Sequence, residues 1–214
     1  MKRMKLSIHG VLFSIIFFLV SGCSTNKFKS RWTTELAPES FTVVFETTKG
    51  NIEIEVERKL SPKAVDRFYQ LTKHSYFTDN YFYRTIPEFV AQFGSYDTVV
   101  YNAWDNIKVP DEPVIQGNYR GTISFGRSGK ESRGTDLYIN LVDNNRLDTL
   151  YYDGVRGFPT FGKITNGLDI LDKLYSGYGR QSMDSIELMY TNMEAFSKHF
   201  PKLDKINKAY ITAN

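Results

Sequence analysis

The sequence predicts a mainly β fold, organised as a closed antiparallel barrel, from three observations. Short runs rich in β-branched and aromatic residues recur along most of the 214-residue chain. One of them, Asn51 to Glu57 (NIEIEVE), alternates Ile52, Ile54 and Val56 with three glutamates, so one face is buried and the other wet. Only two or three helical patterns lie among these runs, which fits a barrel better than alternating βαβ units.

The chain opens with a segment separate from the fold. Lys2, Arg3 and Lys5 precede the apolar run Val11 to Val20, which ends in Ser21, Gly22 and Cys23. A basic start, a short apolar stretch and small residues mark residues 1–22 as a secretory signal peptide. The run is shorter than the roughly 20 apolar residues a membrane-spanning helix needs. VSGC resembles the lipobox of bacterial lipoproteins, and Cys23 is the single cysteine, so no disulfide competes for it. That resemblance implies cleavage before Cys23, a diacylglycerol on its thiol, and attachment to a membrane of the bacterial envelope on the periplasmic or extracytoplasmic side. Removing Lys2, Arg3 and Lys5 lowers the 27 basic residues to 24, equal to the 24 acidic ones. The mature chain is formally neutral and carries no electrostatic signature of nucleic-acid binding. Residues 23–40 are polar and unpatterned, as a tether should be.

The remaining length suffices for one domain with a substantial core. Phe41 to Thr47 and Asn51 to Glu57 form two strands joined across Lys49-Gly50. A helix follows: Ser61 is placed to cap it, Pro62 suits its first position, and Val65, Phe68 and Leu71/Thr72 make an apolar stripe. Further strands are predicted at 81–86, 88–94, 121–126, 137–142 and 160–164. Asn166 or Gly167 opens a second helix with Leu168, Leu171 and Leu174/Tyr175 on one side. The tail has a helical period at Met193, Phe196 and Phe200, which Pro201 breaks.

Several chemistries lack their residues. The histidines at 9, 74 and 199 are far apart, and with one cysteine they make no metal cluster. The loop Gly126 to Thr135 (GRSGKESRGT) fails the phosphate-loop pattern, because Lys130 is followed by Glu131 and the required earlier glycine is missing. No serine has a nucleophile-elbow context.

One residue stands out. Arg84 interrupts the apolar stretch YFYRTIPEFVAQFG (Tyr81 to Gly94). This stretch resembles the cyclophilin signature F-H-R-x-I-P-x-F-x-x-Q-G-G. Arg120 to Asp148 is similar to that family's G-T-[IL]-[SA]-M-A, polar loop and S/T-Q-F-F-I-N. GFPTFGKITNGLDILDKLYSGYG is similar to its V-F-G-K-V-x-x-G-M-D-V-V-D-K-I. The resemblance implies an eight-stranded antiparallel barrel capped by two helices over residues 41–180. Residues 181–214 form a C-terminal helical extension like that of some bacterial members. It further implies a cofactor-free peptidyl-prolyl cis/trans isomerase acting, as a monomer, on proline-containing polypeptides of the envelope.

By the same resemblance Arg84 is the catalytic arginine and Gln92 the glutamine that orients it. Phe89 floors the proline pocket, Val90 stands where a methionine is usual, and Tyr138, Leu147 and Phe158 line the walls. Gly126, Arg127 and Asp136 fall on substrate-contacting positions. The departures are Phe93 for the second residue of Q-G-G, Arg127 for an asparagine, Asp136 for a glutamine, and Arg146 for the tryptophan associated with cyclosporin binding. They keep open a rival reading, in which the same groove binds proline peptides as a chaperone with little turnover.

Overall fold

The alternation of Asn51 to Glu57 becomes the register of a hairpin. In the computed structural model, which describes residues 28–95 and 98–212, Ser40–Thr47 (β1) pairs antiparallel with Gly50–Glu57 (β2), and Ile52, Ile54 and Val56 all point into the core. The leader and Cys23 lie outside the described residues. Pro62–Lys73 (α1) follows, then the short strands Asn80–Tyr81 (β3) and Arg84–Thr85 (β4), Val90–Phe93 (β5), and the helix Thr98–Asp105 (α2). Thr122–Phe125 (β6), Leu137–Asn140 (β7) and the single turn Arg146–Thr149 (α3) come next, then a small hairpin of Tyr151–Tyr152 (β8) and Val155–Arg156 (β9). Thr160–Asn166 (β10), the short helices Gln181–Asp184 (α4), Ile186–Thr191 (α5) and Met193–His199 (α6), and Lys205–Thr212 (β11) complete the chain.

Nine of these strands form one antiparallel sheet in the order β3-β11-β1-β2-β10-β6-β7-β5-β4. Its two edges, β3 and β4, are separated in the chain by Phe82 and Tyr83 alone, so the sheet curls until its edges lie side by side. The predicted eight-stranded closed barrel is therefore corrected to a nine-stranded curled sheet whose edge strands do not pair. The single strand expected over 81–86 is split for the same reason: the chain crosses from one edge to the other there. Inside the curl, Phe45, Phe68, Phe77, Phe93 and Phe161 form a connected set of ring contacts at 5.3–6.2 Å, mostly edge-on or tilted.

The sequence reading of the tail missed a strand. β11 pairs with β1 on one side and β3 on the other, so residues 181–214 are not only helical. A register shift opposite Glu46/Thr47 leaves Asn207 unpaired with β1, which breaks the period of two that marks a strand. The second capping helix is a 3-10 turn, Leu168–Lys173, in which Ile170 and Leu171 are buried and Leu168 is exposed. Residues 28–40, read as tether, are docked. Trp32 is buried and stacks on His74 at 3.9 Å, Gln70 donates to the Thr33 and Glu35 carbonyls, and the Ala37 N–H donates to Asp66.

Ser61 holds the N-cap position of α1 without capping it. Its hydroxyl donates to Glu112, whose carboxylate also accepts the Lys63 and Ala64 N–H groups at 2.8 and 3.2 Å. A carboxylate from a distant loop thus satisfies the helix terminus and complements its dipole. Glu112 in turn pairs at 3.0 Å with Arg133, which is 1% exposed. Glu112→Ala strips this buried guanidinium of its counter-ion and should destabilise the fold by about 3–5 kcal/mol. Glu112→Leu combined with Arg133→Met should cost less. Urea denaturation of both variants checks the order.

Candidate active site

Arg84 lies in an apolar stretch because that stretch crosses the sheet beside a groove. Its Cα partner across β4 and β5 is Gln92, that of Gln92 across β5 and β7 is Tyr138, and that of Tyr138 across β7 and β6 is Ser124. Directly opposed residues of antiparallel strands share a face. Arg84, Gln92, Tyr138 and Ser124 therefore form one row on the outer face of the curl. Ala91, Phe93, Leu137 and Ile139, in alternate positions, point into the core. Phe93 consequently leaves the groove untouched; its ring sits 5.5 Å from those of Phe45 and Phe77. The next residue, Gly94, has φ +105, and a Cβ there would lie 2.0 Å from the Thr135 carbonyl oxygen, so only glycine fits.

A pocket of about 160 Å³ opens on this face, lined by Arg84, Phe89, Val90, Gln92, Gly126, Arg127, Tyr138, Leu147 and Phe158. Nine of the ten predicted site residues thus converge. Asp136 instead lines an adjoining depression of about 260 Å³, which shares Gln92, Gly126 and Arg127 with the pocket. Val90, Tyr138 and Leu147 form an apolar cluster with Phe89 and Phe158 that is distinct from the main core. Core and pocket wall, which look alike in sequence, are separated here by the face of the sheet they occupy.

The polar rim is arranged around the guanidinium. Arg84 Nη1 donates to Gln92 Oε1, which fixes the orientation of the fork and leaves its other N–H groups directed elsewhere. Burial is the first cause that lowers the Arg84 pKa from its ordinary value, and the charge of Arg180 is the second; the group stays cationic. Arg127 donates to the carbonyls of Gly157 and Val155 at 2.6 and 2.9 Å and lies 3.9 Å from the Phe158 ring centroid, so it braces the β8–β9 hairpin against the pocket. Burial pushes the Asp136 carboxyl up to about 6, against the hydrogen bonds it accepts from Ser95 and Tyr83.

Sequence reasoning missed the residues that hold these walls in place. Asn118 is fully buried. Its Oδ1 accepts from the Tyr138 hydroxyl at 2.8 Å and from Asn140 Nδ2 at 3.1 Å, and its Nδ2 donates to Asp148 at 2.7 Å and to the Phe158 carbonyl at 2.9 Å. Asn144 donates to the carbonyl of Phe89 and to Asn140 Oδ1. The pocket floor, the tyrosine wall and the α3 segment are thus tied to one amide network. A buried loop asparagine has no periodic signal that would reveal it. A second missed residue, Ser182 of α4, donates its buried hydroxyl to the carbonyl of Tyr83, immediately before Arg84.

Asn118→Leu should cost at least about 3 kcal/mol, since several buried partners lose a hydrogen bond at about 1–3 kcal/mol each. Proline-peptide affinity should fall with it as the Tyr138 and Leu147 walls shift. Denaturation and NMR titration of the variant check both effects.

Comparison with known proteins bears on the family and the fold. A sequence model of the family described as cyclophilin type peptidyl-prolyl cis-trans isomerase/CLD matches residues 42–192. A peptidyl-prolyl cis-trans isomerase of Acinetobacter baylyi is 31% identical over 134 residues, covering 62% of this chain and 70% of the relative. One from Helicobacter pylori is 34% identical over 146 residues, covering 67% and 85%. The crystal structure of a Cryptosporidium parvum cyclophilin type peptidyl-prolyl cis-trans isomerase covers 82% of this chain and 99% of its own, with a TM-score of 0.54 at 18% identity, a likeness of fold. With a family match over most of its length, relatives of the same activity and a common fold, this chain belongs to the cyclophilin-type peptidyl-prolyl cis-trans isomerases.

Proposed function

We propose that Arg84 is the catalytic donor of this peptidyl-prolyl isomerase and that its substrates are X-Pro bonds of exported envelope proteins. The observation that carries the catalytic reading is the placement of the Arg84–Gln92 pair on the rim of an apolar pocket formed by Phe89, Val90, Tyr138, Leu147 and Phe158.

The chemistry follows from the amide. Resonance sets a barrier of about 18–20 kcal/mol to rotation, so X-Pro bonds exchange over tens to hundreds of seconds. At the twisted transition state the prolyl nitrogen becomes pyramidal and gains a lone pair. A donor aimed at that nitrogen binds the transition state more strongly than the planar ground state, which is the condition for catalysis. The pocket holds the ring, and Gln92 holds the guanidinium so that a remaining N–H faces the nitrogen. The Gln92 amide nitrogen makes no hydrogen bond among the described residues and is available to the substrate backbone. Removing about 7 kcal/mol from the barrier accelerates exchange roughly 10⁵-fold.

The export reading is supported by the leader and by VSGC at Cys23. On it, Phe28, which packs on Trp32 and Trp104, lies five residue steps from the acylated Cys23. At about 3.3–3.6 Å per residue this holds the domain within about 18 Å of its anchor.

Arg84→Ala should lower kcat/KM for a proline peptide by roughly 10²–10³-fold, about 2.7–4 kcal/mol, with much less change in ground-state affinity and no loss of fold. Arg84→Lys should also be poor, because an ammonium lacks the planar fork. A protease-coupled assay with circular dichroism tests this; full activity in the folded Ala variant refutes the assignment. For the anchor, mass spectrometry of the protein from its native envelope should show an N-terminal, diacylglycerol-modified Cys23, and an unmodified Cys23 in the soluble fraction argues against it.

A further inference from the structure

Four arginines lie at or near the pocket, and none forms an ion pair among the described residues. Arg84 and Arg127 line it. The guanidinium of Arg146 lies 4.7 Å from the Phe89 ring centroid, over the same ring that carries Arg84 at 5.8 Å. Arg180 holds the N-cap position of α4, two residues before the Ser182 hydroxyl bonded to the Tyr83 carbonyl, and its charge is felt at Arg84. Arg146 and Arg180 are both exposed. Among the described residues none of the four has a carboxylate within ion-pair distance; Arg31, Arg67 and Arg156 share that lack, but of these seven only the four gather at the pocket.

Asp111 acts on Arg127 from beyond ion-pair distance while it accepts the Glu131 N–H at 2.6 Å, and the other carboxylates near the groove are engaged elsewhere. Asp148 accepts both the backbone and side-chain N–H groups of Asn118, and Asp105 pairs with Lys108. Asp136 accepts from Ser95 and Tyr83 in the adjoining depression. Glu88, although next to Phe89 in sequence, lines a separate depression with Arg120. With the leader removed, as proposed, the chain is formally neutral, so this cationic rim is local and does not follow from overall charge.

Resting on the isomerase reading, we propose that the arginine rim selects X-Pro segments whose proline is flanked by carboxylate side chains. Arg146 and Arg180 act as specificity-determining residues, placed to meet glutamate or aspartate side chains while the ring sits in the pocket. The field of Arg146 acts beside Phe89, where water is partly excluded, and both cations repel a substrate with lysine at the same positions.

The test uses acetylated, amidated peptides in which an Ala-Pro centre is flanked on both sides by Glu, Gln or Lys. Affinity is read by NMR titration and turnover by exchange spectroscopy. At an ionic strength of about 10 mM, where the Debye length is about 30 Å, the Glu peptide should exceed the Lys peptide by roughly five- to tenfold in both. The ratio should shrink toward one at about 1 M salt. Arg146→Gln combined with Arg180→Gln should cut the low-salt ratio by at least half. A ratio near one in the unmodified protein at low salt overturns the proposal, as does a ratio unchanged in the double variant. Preferential binding of the Glu peptide without turnover upholds the selectivity and refutes the isomerase reading instead.

Discussion

The pocket depends on one buried amide. Asn118 reaches Tyr138, Asn140, Asp148 and the Phe158 carbonyl from a loop that precedes β6, and its own carbonyl accepts the Asn144 N–H at 2.7 Å. Every donor and acceptor of its side chain is used, and a fully satisfied polar network rigidifies what it joins. A shallow apolar pocket on the outside of a sheet has no second layer to define its shape. Here the network under it takes that role, since it fixes the Tyr138 ring from below and holds Leu147 and Phe158 at the far wall.

The curled sheet then does two jobs with one alternation. On β5, Val90 and Gln92 face the groove while Ala91 and Phe93 face the core. On β7, Tyr138 faces the groove, and Leu137 and Ile139 face the core. The phenylalanine-rich interior anchors these strands, and one hydrogen bond orients the Arg84 guanidinium against Gln92 on the groove face. The C-terminal helices add a brace: Met189, Phe196 and Phe200 pack with Tyr83, and Ser182 fixes the backbone just before the arginine. In this chain the tail therefore supports the site from outside and also supplies β11, which joins β1 to the edge strand β3.

Elements with a strong local period were readable. β2 alternates cleanly, α1 carries its stripe at Val65, Phe68 and Leu71, and α6 follows Phe196 and Phe200. Elements shaped by partners were not. β11 hides behind the bulge at Asn207, the split of 81–86 follows from the crossing between sheet edges, and the cap of α1 comes from Glu112, about fifty residues away. Trp32 looked like part of a tether until its neighbours His74 and Trp104 were in place.

By itself the sequence determined the β-rich class, the presence of an arginine, a glutamine and a set of aromatic residues at fixed spacings, and the family they resemble. These are properties of residue type and interval, which a linear chain carries in full. Only the tertiary structure decided that nine of ten candidate residues share a pocket while Asp136 lies beside it, that Phe93 belongs to the core, and that Asn118 holds the walls. Those outcomes depend on which face of a strand turns outward and on which distant groups meet once the sheet has curled. Both are set by the cooperative burial of the whole core, and no local interval encodes them.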